Sequence, residues 1–347
     1  MKLAVITTSR ADYYLYEPIL RELNPDNFFL IVTGSHLSDL HGQSWRDIEF
    51  PIYKKLYTMM EGDSCIEVVD SMALTMVNMG QMYEALDPDM VMVLGDRYEM
   101  FAAALPAFVL GIPICHLYGG DLTQHHMDQA WRDSLSSIAT HHFTATNRSR
   151  DRLIQMGHNS RRIQTIGSIG LARAIEEELP STAVLEGKYY LTKPVILVTY
   201  HPQTGEDSGE LVDALEEYVT DFDIIWTHPN ADPGHRKVQM LGMKFPSMGQ
   251  KDYLGMMRDA AIVVGNSSSI IYESPAFGTR ALLVGSRQLG REKDPWIESC
   301  MCKSTDIVIT ISDMLEKPAP GTLEETPVSI YSGPGPMEVV EWLKNWS

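Results

Sequence analysis

The sequence predicts an α/β protein made of two Rossmann-like, doubly wound domains that face each other across a cleft. Short apolar runs alternate with longer amphipathic runs almost from end to end of the 347 residues, which is the βαβ pattern of parallel sheets. The short runs are continuously apolar, as expected for strands covered by helices on both faces. The alternation stops near residue 176 and restarts near residue 195, and a chain of this length suits two domains.

In the first half of the chain, the alternation predicts six strands separated by helices. The strands are expected at residues 3–7, 28–33, 90–94, 114–118, 143–146 and 163–166. Helical periodicity between them predicts helices at residues 16–23, 69–86, 99–110, 129–138 and 148–156. We therefore assign residues 1–175 to an N-terminal domain.

In the second half the same alternation predicts four more strands, at residues 195–199, 223–227, 262–264 and 281–284. Helices are expected at residues 209–218, 253–258 and 270–276, and an amphipathic helix at residues 337–346 follows a Gly-Pro-Gly-Pro breaker. We assign residues 176–335 to a C-terminal domain and residues 336–347 to a helix that packs back on the N-terminal domain. Ligands of open α/β sheets bind at the carboxyl ends of strands, so the site is expected there.

The charge balance excludes whole classes of function. The chain has 28 Lys and Arg against 46 Asp and Glu, a formal net charge of −18, whereas proteins that bind nucleic acid or anionic lipid carry basic patches. The N-terminus reads as a strand rather than a signal peptide, and no apolar run is long enough to span a membrane. Four cysteines make neither a disulfide framework nor a zinc site. We therefore expect a cytoplasmic protein that binds neither nucleic acid nor membrane.

The segment Gly265-Asn266-Ser267-Ser268-Ser269 ends a predicted strand and opens a predicted helix. Free backbone N–H groups at a helix start suit phosphate oxygens, although serine and asparagine are also ordinary helix caps. Glu273 lies roughly 9 Å beyond Ser267 along a helix. This spacing allows the serines to hold a pyrophosphate while the carboxylate holds a ribose diol.

Basic side chains are expected to bind the phosphates, because no glycine-rich nucleotide loop follows any predicted strand. The candidates that follow strands are Arg10, Arg97, Arg287 and Arg291, although each also fits a solvated surface charge. His201, in the first loop of the second domain, is a candidate to contact a developing charge or donate a proton. No histidine pair has a further ligand at metal spacing, so no metal site is predicted.

Several carboxylates follow strands of the N-terminal domain and are candidates for general acid and base catalysis. Asp96 follows the strand at 90–94, a position that also suits a helix cap. Asp121 follows the strand at 114–118 and two glycines. Asp128 and Arg132 share one helix face, which fits either a site or an i,i+4 salt bridge, and Asp133 is adjacent.

In combination these motifs resemble the hydrolysing UDP-N-acetylglucosamine 2-epimerases of the sialic-acid and related nonulosonic-acid pathways. The resemblance covers most of the chain and includes Thr8-Ser9-Arg10-Ala11-Asp12-Tyr13, Leu94-Gly95-Asp96-Arg97-Tyr98-Glu99, His201-Pro202, Asn230-Ala231-Asp232, Gly265-Asn266-Ser267-Ser268-Ser269 and Arg287-Gln288-Leu289-Gly290-Arg291. It implies a glycosyltransferase-B-type fold with the nucleotide mainly on the second domain, and neither a metal nor another cofactor. We also expect a homodimer or homotetramer.

The resemblance implies elimination of UDP across C1–C2 of the sugar, followed by water addition that releases a free sugar inverted at C2. The implied catalytic residues are Asp96, Asp121, Asp128, His201, Arg132 and Asp133. The implied substrate-binding residues are Arg10, Ser267, Ser268, Asn266, Glu273, Asn230, Arg97 and Arg291. The expected substrate is UDP-N-acetylglucosamine or a 2,4-diacetamido-6-deoxy analogue, and a GDP-linked sugar also fits.

The chain departs from the family pattern in the loop and helix that carry the acid and base residues. Asp121 stands where the family has Glu, and Gln129 and Asp133 stand where it has Glu and His. Replacing Glu by Asp withdraws a carboxylate by about 1.5 Å, a displacement that can cost ~100-fold in rate, and Gln129 cannot titrate. Two alternatives stay open: a non-hydrolysing epimerase or glycosyltransferase of the same fold, and a catalytically silent nucleotide-sugar-binding protein.

Overall fold

The computed structural model describes residues 1–62, 64–123, 127–229, 234–322 and 328–346. The chain forms two compact units, of which the first comprises Met1–Ile169 and Tyr331–Ser347 and the second comprises Gly170–Ile330. Among the described helices, none is both long and apolar enough to cross a membrane. All four cysteines lie in the described ranges, and their thiols are free.

Within its described residues, the first unit contains a parallel sheet of seven strands. In chain order they are β1 Leu3–Thr7, β2 Phe28–Val32, β3 Ile52–Lys55, β4 Met90–Leu94, β5 Ile114–Leu117, β6 His141–Thr144 and β7 Ile163–Thr165. The spatial order is β3-β2-β1-β4-β5-β6-β7, and Leu3 of β1 pairs with Phe28 on one side and Met90 on the other. The order therefore reverses between β1 and β4, where doubly wound folds bind ligands.

Helices connect these strands. They are α1 Arg10–Arg21, α2 Cys65–Leu86, α3 Tyr98–Val109, α4 Met127–Ile138 and α5 Asn147–Gln155. Helix α1 begins six residues before the start predicted from periodicity, because Ser9 and Asp12 form a capping box at its N-terminus. Helices α2 and α3 pack against each other beside the sheet.

The described part of the second unit contains a parallel sheet of six strands. They are β8 Val195–Thr199, β9 Asp223–Thr227, β10 Met243–Phe245, β11 Ile262–Gly265, β12 Ala281–Val284 and β13 Ile297–Cys300, in the spatial order β10-β9-β8-β11-β12-β13. The helices are α6 Ile169–Glu176, α7 Thr182–Tyr189, α8 Gly209–Glu216, α9 Gln250–Asp259, α10 Ser269–Tyr272 and α11 Ser304–Glu316. Here the order reverses between β8 and β11.

The C-terminal helix α12, Pro336–Lys344, belongs to the first unit and packs against α1. The rings of Trp342 and Trp346 lie 4.8 and 4.7 Å from the ring of His141 on β6. The chain reaches this position through a close backbone approach, in which a Cβ added to Gly167 would lie 2.6 Å from the carbonyl oxygen of Tyr331. Glycine is therefore required where the two segments cross.

The predicted α/β fold is confirmed, but several elements were not predicted and some helices differ in extent. The strands β3, β10 and β13 and the helices α6, α7 and α11 were not predicted. The helix predicted at residues 270–276 is wrong in extent, because α10 ends at Tyr272 and a 3-10 turn, Ser274–Ala276, follows. Pro275 explains this difference, since its ring lacks an N–H and disfavours helical geometry at the preceding residue.

Candidate active site

The carboxyl ends of the central strands carry most of the predicted site residues. They are, in chain order, Arg10 after β1, Asp96 and Arg97 after β4, Asp121 after β5, His201 after β8, and Asn266, Ser267 and Ser268 after β11. In each unit the residues cluster around the point at which the strand order reverses, which is where an open α/β sheet accepts a ligand. Asn230, a further predicted contact, lies outside the described residues.

A buried carboxylate, Asp12, shapes the turn between β1 and α1. It accepts hydrogen bonds from the backbone N–H of Ser9 at 2.9 Å and from the Thr8 hydroxyl at 2.8 Å. The Thr7 and Ser9 hydroxyls also donate to it. Burial raises the pKa of Asp12 to about 6, because the charged form is disfavoured away from water. These bonds fix the turn from which Arg10 begins α1.

The turn that carries Asp96 is supported from beneath by a buried histidine. His116 Nε2 lies 2.8 Å from the carbonyl oxygen of Gly95, and its Nδ1 lies 3.3 Å from Ser136 Oγ. Since a carbonyl oxygen only accepts, Nε2 carries the proton and Nδ1 accepts from the serine. Burial lowers the pKa of His116 to about 4. His116 is therefore neutral, and it supports the turn before Asp96 through its hydrogen bond to Gly95.

The buried guanidinium of Arg132, 1% exposed, joins Asp96 to the Asp121 loop. Its Nη2 contacts the Asp96 carboxylate. Its Nη1 donates to the carbonyl oxygen of Asp121 at 3.1 Å and to Thr123 Oγ1 at 3.0 Å. A buried cation needs such partners to offset its loss of water. The backbone position that caps α3 belongs to Arg97, so Asp96 is a partner of Arg132 rather than a cap.

Asp121 is buried and held by α5. Its carboxylate accepts a 2.6 Å hydrogen bond from the Ser149 hydroxyl. The preceding Gly120 has a φ of +81°, and a Cβ there would lie 2.2 Å from the Ser149 carbonyl oxygen. Tyr118, two residues earlier, also has a positive φ of 64°, which is uncommon outside glycine. The backbone of this loop is thus tightly constrained.

Helix α4 carries Asp128, Gln129, Arg132 and Asp133. The Asp133 carboxylate accepts hydrogen bonds from both terminal nitrogens of Arg152, each at 2.7 Å, and from the Gln129 amide nitrogen at 2.8 Å. Asp128 lies one helical turn before Arg132 and is partly exposed. Arg97, also predicted to contact substrate, donates to the buried Glu99 carboxylate at 3.1 and 3.2 Å.

In the second unit, the side chain of Asn266 forms two hydrogen bonds with the backbone of His201, an arrangement that we call the backbone clasp. Its Oδ1 accepts from the His201 N–H at 2.7 Å, and its Nδ2 donates to the His201 carbonyl oxygen at 2.8 Å. The Asn266 carbonyl oxygen in turn accepts from Arg287 at 3.2 Å and Gln288 at 2.8 Å. The clasp joins the ends of β8 and β11, so it fixes His201 beside the serines.

A chain of hydroxyl groups runs from the serines into the sheet. Ser267 and Ser269 are 2.9 Å apart, Ser269 and Tyr253 are 2.8 Å apart, and Tyr253 and Thr199 are 3.1 Å apart, each measured between hydroxyl oxygens. Thr199 continues to Thr227 at 2.9 Å. Because α10 is a single turn, the donors here are hydroxyls and local N–H groups more than a helix dipole.

Glu273 lies at the end of α10, where burial raises its pKa to about 7. The Gln250 amide approaches its carboxylate at 3.5 Å, and Arg173 acts in the opposite direction by favouring the charged form. Nearby, the guanidinium of Arg291 lies 5.2 Å from the ring centroid of Tyr272, within cation–π range. The helix that follows the serines thus ends in a titratable acceptor, Glu273, and carries Tyr272, whose ring contacts a cation.

Several supporting residues were not predicted from the sequence: Asp12, His116, Thr123, Ser149, Arg152 and Tyr253. Most of them belong to other elements than the residues they hold, and sequence spacing carries no signal for such contacts. Asp12 is the exception, because the Ser9–Asp12 pair matches a capping box. In chemical terms, the first unit offers carboxylates near cations, and the second offers neutral hydrogen-bond donors suited to an anion.

Comparison with known proteins identifies the family. A family model described as UDP-N-acetylglucosamine 2-epimerase matches residues 21–332. The chain belongs to this family. It is 32% identical to the hydrolysing GDP/UDP-N,N'-diacetylbacillosamine 2-epimerase of Campylobacter jejuni, over 84% of this chain and 82% of that protein. It is also 32% identical to polysialic acid biosynthesis protein P7 of Escherichia coli, over 84% of this chain and 80% of that protein.

A solved structure supports the same fold. The UDP-GlcNAc 2-epimerase of Neisseria meningitidis, bound to UDP-GlcNAc, superposes with a TM-score of 0.81 at 19% identity, over 99% of this chain and all of that one. At this identity the likeness shows the fold alone. Family membership confirms the predicted enzyme class, a hydrolysing nucleotide-sugar 2-epimerase.

Proposed function

We propose that this epimerase acts on a UDP-linked 2-acetamido sugar, eliminates UDP, and releases the free sugar inverted at C2. The observation that carries the proposal is the cluster at the ends of β4 and β5, where Arg132 contacts both the Asp96 carboxylate and the Asp121 loop. Inversion at C2 needs a base on one face of the sugar and an acid on the other. Two carboxylates on neighbouring strand ends supply such a pair.

The reaction has two balanced steps. A carboxylate of the Asp96, Asp121 and Asp128 group takes the C2 proton, the C1–O bond breaks with its electron pair leaving on UDP, and C1=C2 forms. Water then adds its oxygen to C1 and gives its spare proton to a carboxylate of the group, while a protonated carboxyl delivers a proton to the opposite face of C2. The proton taken from C2 in the first step passes to the solvent. The product is a free manno-configured sugar, which from UDP-N-acetylglucosamine is N-acetylmannosamine. Arg132 orients the Asp96 carboxylate and the backbone of the Asp121 loop throughout.

The second unit is proposed to bind the nucleotide. Ser267 and Ser268 would donate to the diphosphate, with His201 and Arg291 stabilising the charge that develops on the leaving group. Glu273, six residues after Ser267, would accept the ribose hydroxyls. Asn266 uses both of its amide atoms on His201, so its proposed part is to position that histidine.

The sugar is either N-acetylglucosamine or a 2,4-diacetamido-6-deoxy relative. The named substrate of the C. jejuni relative supports the second, and the ligand of the N. meningitidis structure supports the first. The shorter carboxylate at Asp121 favours a sugar that sits closer to the loop than the family's usual substrate does.

Proton NMR of reactions in heavy water tests the proposal with UDP- and GDP-linked forms of both sugars. We expect UDP and a free C2 epimer that carries deuterium at C2. A nucleotide-linked product would indicate a non-hydrolysing epimerase, and transfer to an added sugar acceptor would indicate a glycosyltransferase. Calorimetric binding of UDP without any turnover would indicate a silent binding protein. Any of these three results overturns the proposal.

We further propose that the protein is a homo-oligomer that buries the outer face of α2. Ile66, Val69 and Val77 share that face and are 57–64% exposed, whereas the inner face carries the hydrogen-bonded Ser71 and Thr75. An apolar stripe facing outwards suits a second copy of the same helix.

Sedimentation of Val69→Glu/Val77→Glu is expected to give monomer where the wild type gives dimer or tetramer. A monomeric wild type at micromolar concentration contradicts this, and Val219→Glu in the second unit is the control.

A further inference from the structure

The departures from the family pattern on α4 form one connected network with α5. Arg152 donates from both terminal nitrogens to the two oxygens of Asp133, each at 2.7 Å. This two-pronged geometry is the most directional ion pair available to a carboxylate. Gln129 adds a third hydrogen bond to Asp133 at 2.8 Å. The Asp133 carboxylate is therefore committed to structure, which is unlike a group that must exchange protons with a substrate.

The network extends from Asp133 to the loop that carries Asp121. Gln129 Oε1 accepts from the Thr123 N–H at 2.5 Å, while its Nε2 also lies 3.3 Å from the Asp121 carbonyl oxygen. Ser149, one turn before Arg152 on α5, donates to the Asp121 carboxylate. Helix α5 thus holds the Asp121 loop in two ways. Ser149 bonds the Asp121 carboxylate directly, and Arg152 acts through Asp133 and Gln129 on the backbone of the loop.

We propose that Arg152 is a positioning residue that fixes the Asp121 carboxylate for proton transfer at C2, acting through Asp133 and Gln129. Asp133 is its structural partner rather than a catalytic residue. The inference rests on the proposed function, because it concerns how one of its acid and base groups is oriented. A catalytic carboxylate displaced by about 1 Å can lose ~100-fold in rate, so a network that fixes the loop has a large effect without touching substrate.

The residue types at positions 129, 133 and 152 depend on one another. Gln129 must both donate to Asp133 and accept from Thr123, which its amide does and an ionised carboxylate cannot. Glutamate at position 129 would place a second carboxylate 2.8 Å from Asp133, and histidine at position 133 would face the Arg152 guanidinium. Gln129, Asp133 and Arg152 therefore form a self-consistent alternative to the family's Glu and His, in which the acid and base chemistry stays with Asp96, Asp121 and Asp128.

Steady-state kinetics of Arg152→Met, Arg152→Lys and Asp133→Asn test the inference. Arg152→Met is expected to lower kcat about 30- to 100-fold with KM within threefold, because binding groups are untouched. Arg152→Lys retains one ion pair with Asp133 and is expected to recover at least a third of the lost activity on a logarithmic scale. Arg150→Met is the matched control on α5, since Arg150 pairs with Asp151 at 3.6 Å and is expected to keep kcat unchanged.

A double-substitution cycle distinguishes a shared unit from two separate contributions. Asp133→Asn/Arg152→Met is expected to be no slower than the worse single variant, because each substitution breaks the same pair. The inference is overturned if Arg152→Met keeps kcat within threefold, if the two losses multiply, or if KM rises in place of a kcat loss. If the wild type itself fails to epimerise any nucleotide sugar, the proposed function fails instead, and that result comes from the NMR assay alone.

Discussion

The two units hold their polar clusters by different kinds of interaction. In the first unit, ion pairs hold the carboxylates in place: Arg132 pairs with Asp96, and Arg152 pairs with Asp133. In the second unit, hydrogen bonds between neutral groups predominate around His201 and Ser267, with the Asn266 amide on the His201 backbone and a run of hydroxyl groups behind Ser267. The same βαβ architecture therefore carries a cluster held by ion pairs in one unit and a cluster held mainly by neutral hydrogen bonds in the other.

This difference fits the division of labour in the proposed reaction. Groups that remove and deliver protons must be ionisable, and cations beside them fix their orientation in a buried setting. A diphosphate brings its own charge, so neutral donors can bind it without placing carboxylates against it. The net charge of −18 describes neither site, because each depends on a few local groups.

The largest effect is expected from removing an ionisable group of the first unit. Asp121→Asn keeps the size of the side chain and can still accept from Ser149, but it cannot take or give a proton. Loss of an acid or base group costs about 10²- to 10⁴-fold in rate, so kcat is expected to fall within that range while UDP affinity is unchanged. NMR turnover assays and calorimetry measure the two quantities.

Asp151→Asn is the control for this substitution, because Asp151 is exposed on α5. If Asp121→Asn keeps more than a tenth of the wild-type kcat, the carboxylate is not required, and the ionic cluster loses its proposed meaning.

The interior of both sheets could be predicted from the sequence, whereas three sheet edges could not. The interior strands β1, β4 and β8 are wholly buried and read as unbroken apolar runs. The strands β3, β10 and β13 form sheet edges, and their residues are mostly exposed or only partly buried, so they carry no such signal. An edge strand needs only one neighbour, and its outer side chains can be polar.

The candidate site divides in the same way. Residues that directly follow strands, such as Asp96, Asp121 and Ser267, could be predicted because topology places them at one edge of a sheet. Their partners could not, since Ser149 reaches the Asp121 carboxylate from a helix 28 residues further along the chain, and Arg152 of the same helix reaches Asp133. Such partners are visible only once the helices are packed.

In the second unit, the largest expected effect follows from breaking the backbone clasp. Asn266→Ala leaves the N–H and C=O of His201 buried without their present partners, and each such group costs roughly 1–3 kcal/mol. The free energy of unfolding of this unit is expected to fall by about 2–4 kcal/mol, with weaker UDP binding. Urea denaturation followed by circular dichroism measures the first quantity, and calorimetry measures the second.

Asn78→Ala is the matched control, because the Asn78 amide donates to the Leu74 carbonyl oxygen on the outer side of α2. A stability change for Asn266→Ala no larger than that of Asn78→Ala would contradict the clasp.

A smaller effect is expected from the pH dependence of UDP affinity, which tests Glu273 of the second unit. Glu273 must be ionised to accept the ribose hydroxyls, and its pKa is raised to about 7. UDP affinity is therefore expected to improve about tenfold from pH 6 to pH 8 relative to Glu273→Gln. Titration calorimetry of both proteins measures this ratio and cancels the titration of UDP itself. Equal pH profiles for the two proteins would remove Glu273 from the binding site.

Without ligand, the sign of the Glu273 effect on stability is opposite. The pKa is higher in the folded protein than its ordinary value of 4.5. The group therefore contributes stability that is fully present below pH 4.5 and is lost as the pH rises through about 7. The buried His116 of the first unit, with a pKa lowered to about 4, costs stability as the pH falls below 6.5. Acid therefore acts on these two groups in opposite directions.

The smallest effect is expected from the hydroxyl chain of the second unit. Tyr253→Phe removes the oxygen between Ser269 and Thr199, a neutral link worth about 1 kcal/mol, or roughly fivefold in UDP affinity. Tyr218→Phe is the control, since its hydroxyl bonds Val308 and Ser312 in the same unit. It is expected to lower stability by a similar amount without changing UDP binding. Because no charge is involved, the affinity lost in Tyr253→Phe is expected to be the same at low and high salt. A Tyr253→Phe loss that disappears at high salt would mean that the second unit also relies on charge, and the contrast between the two units would fail.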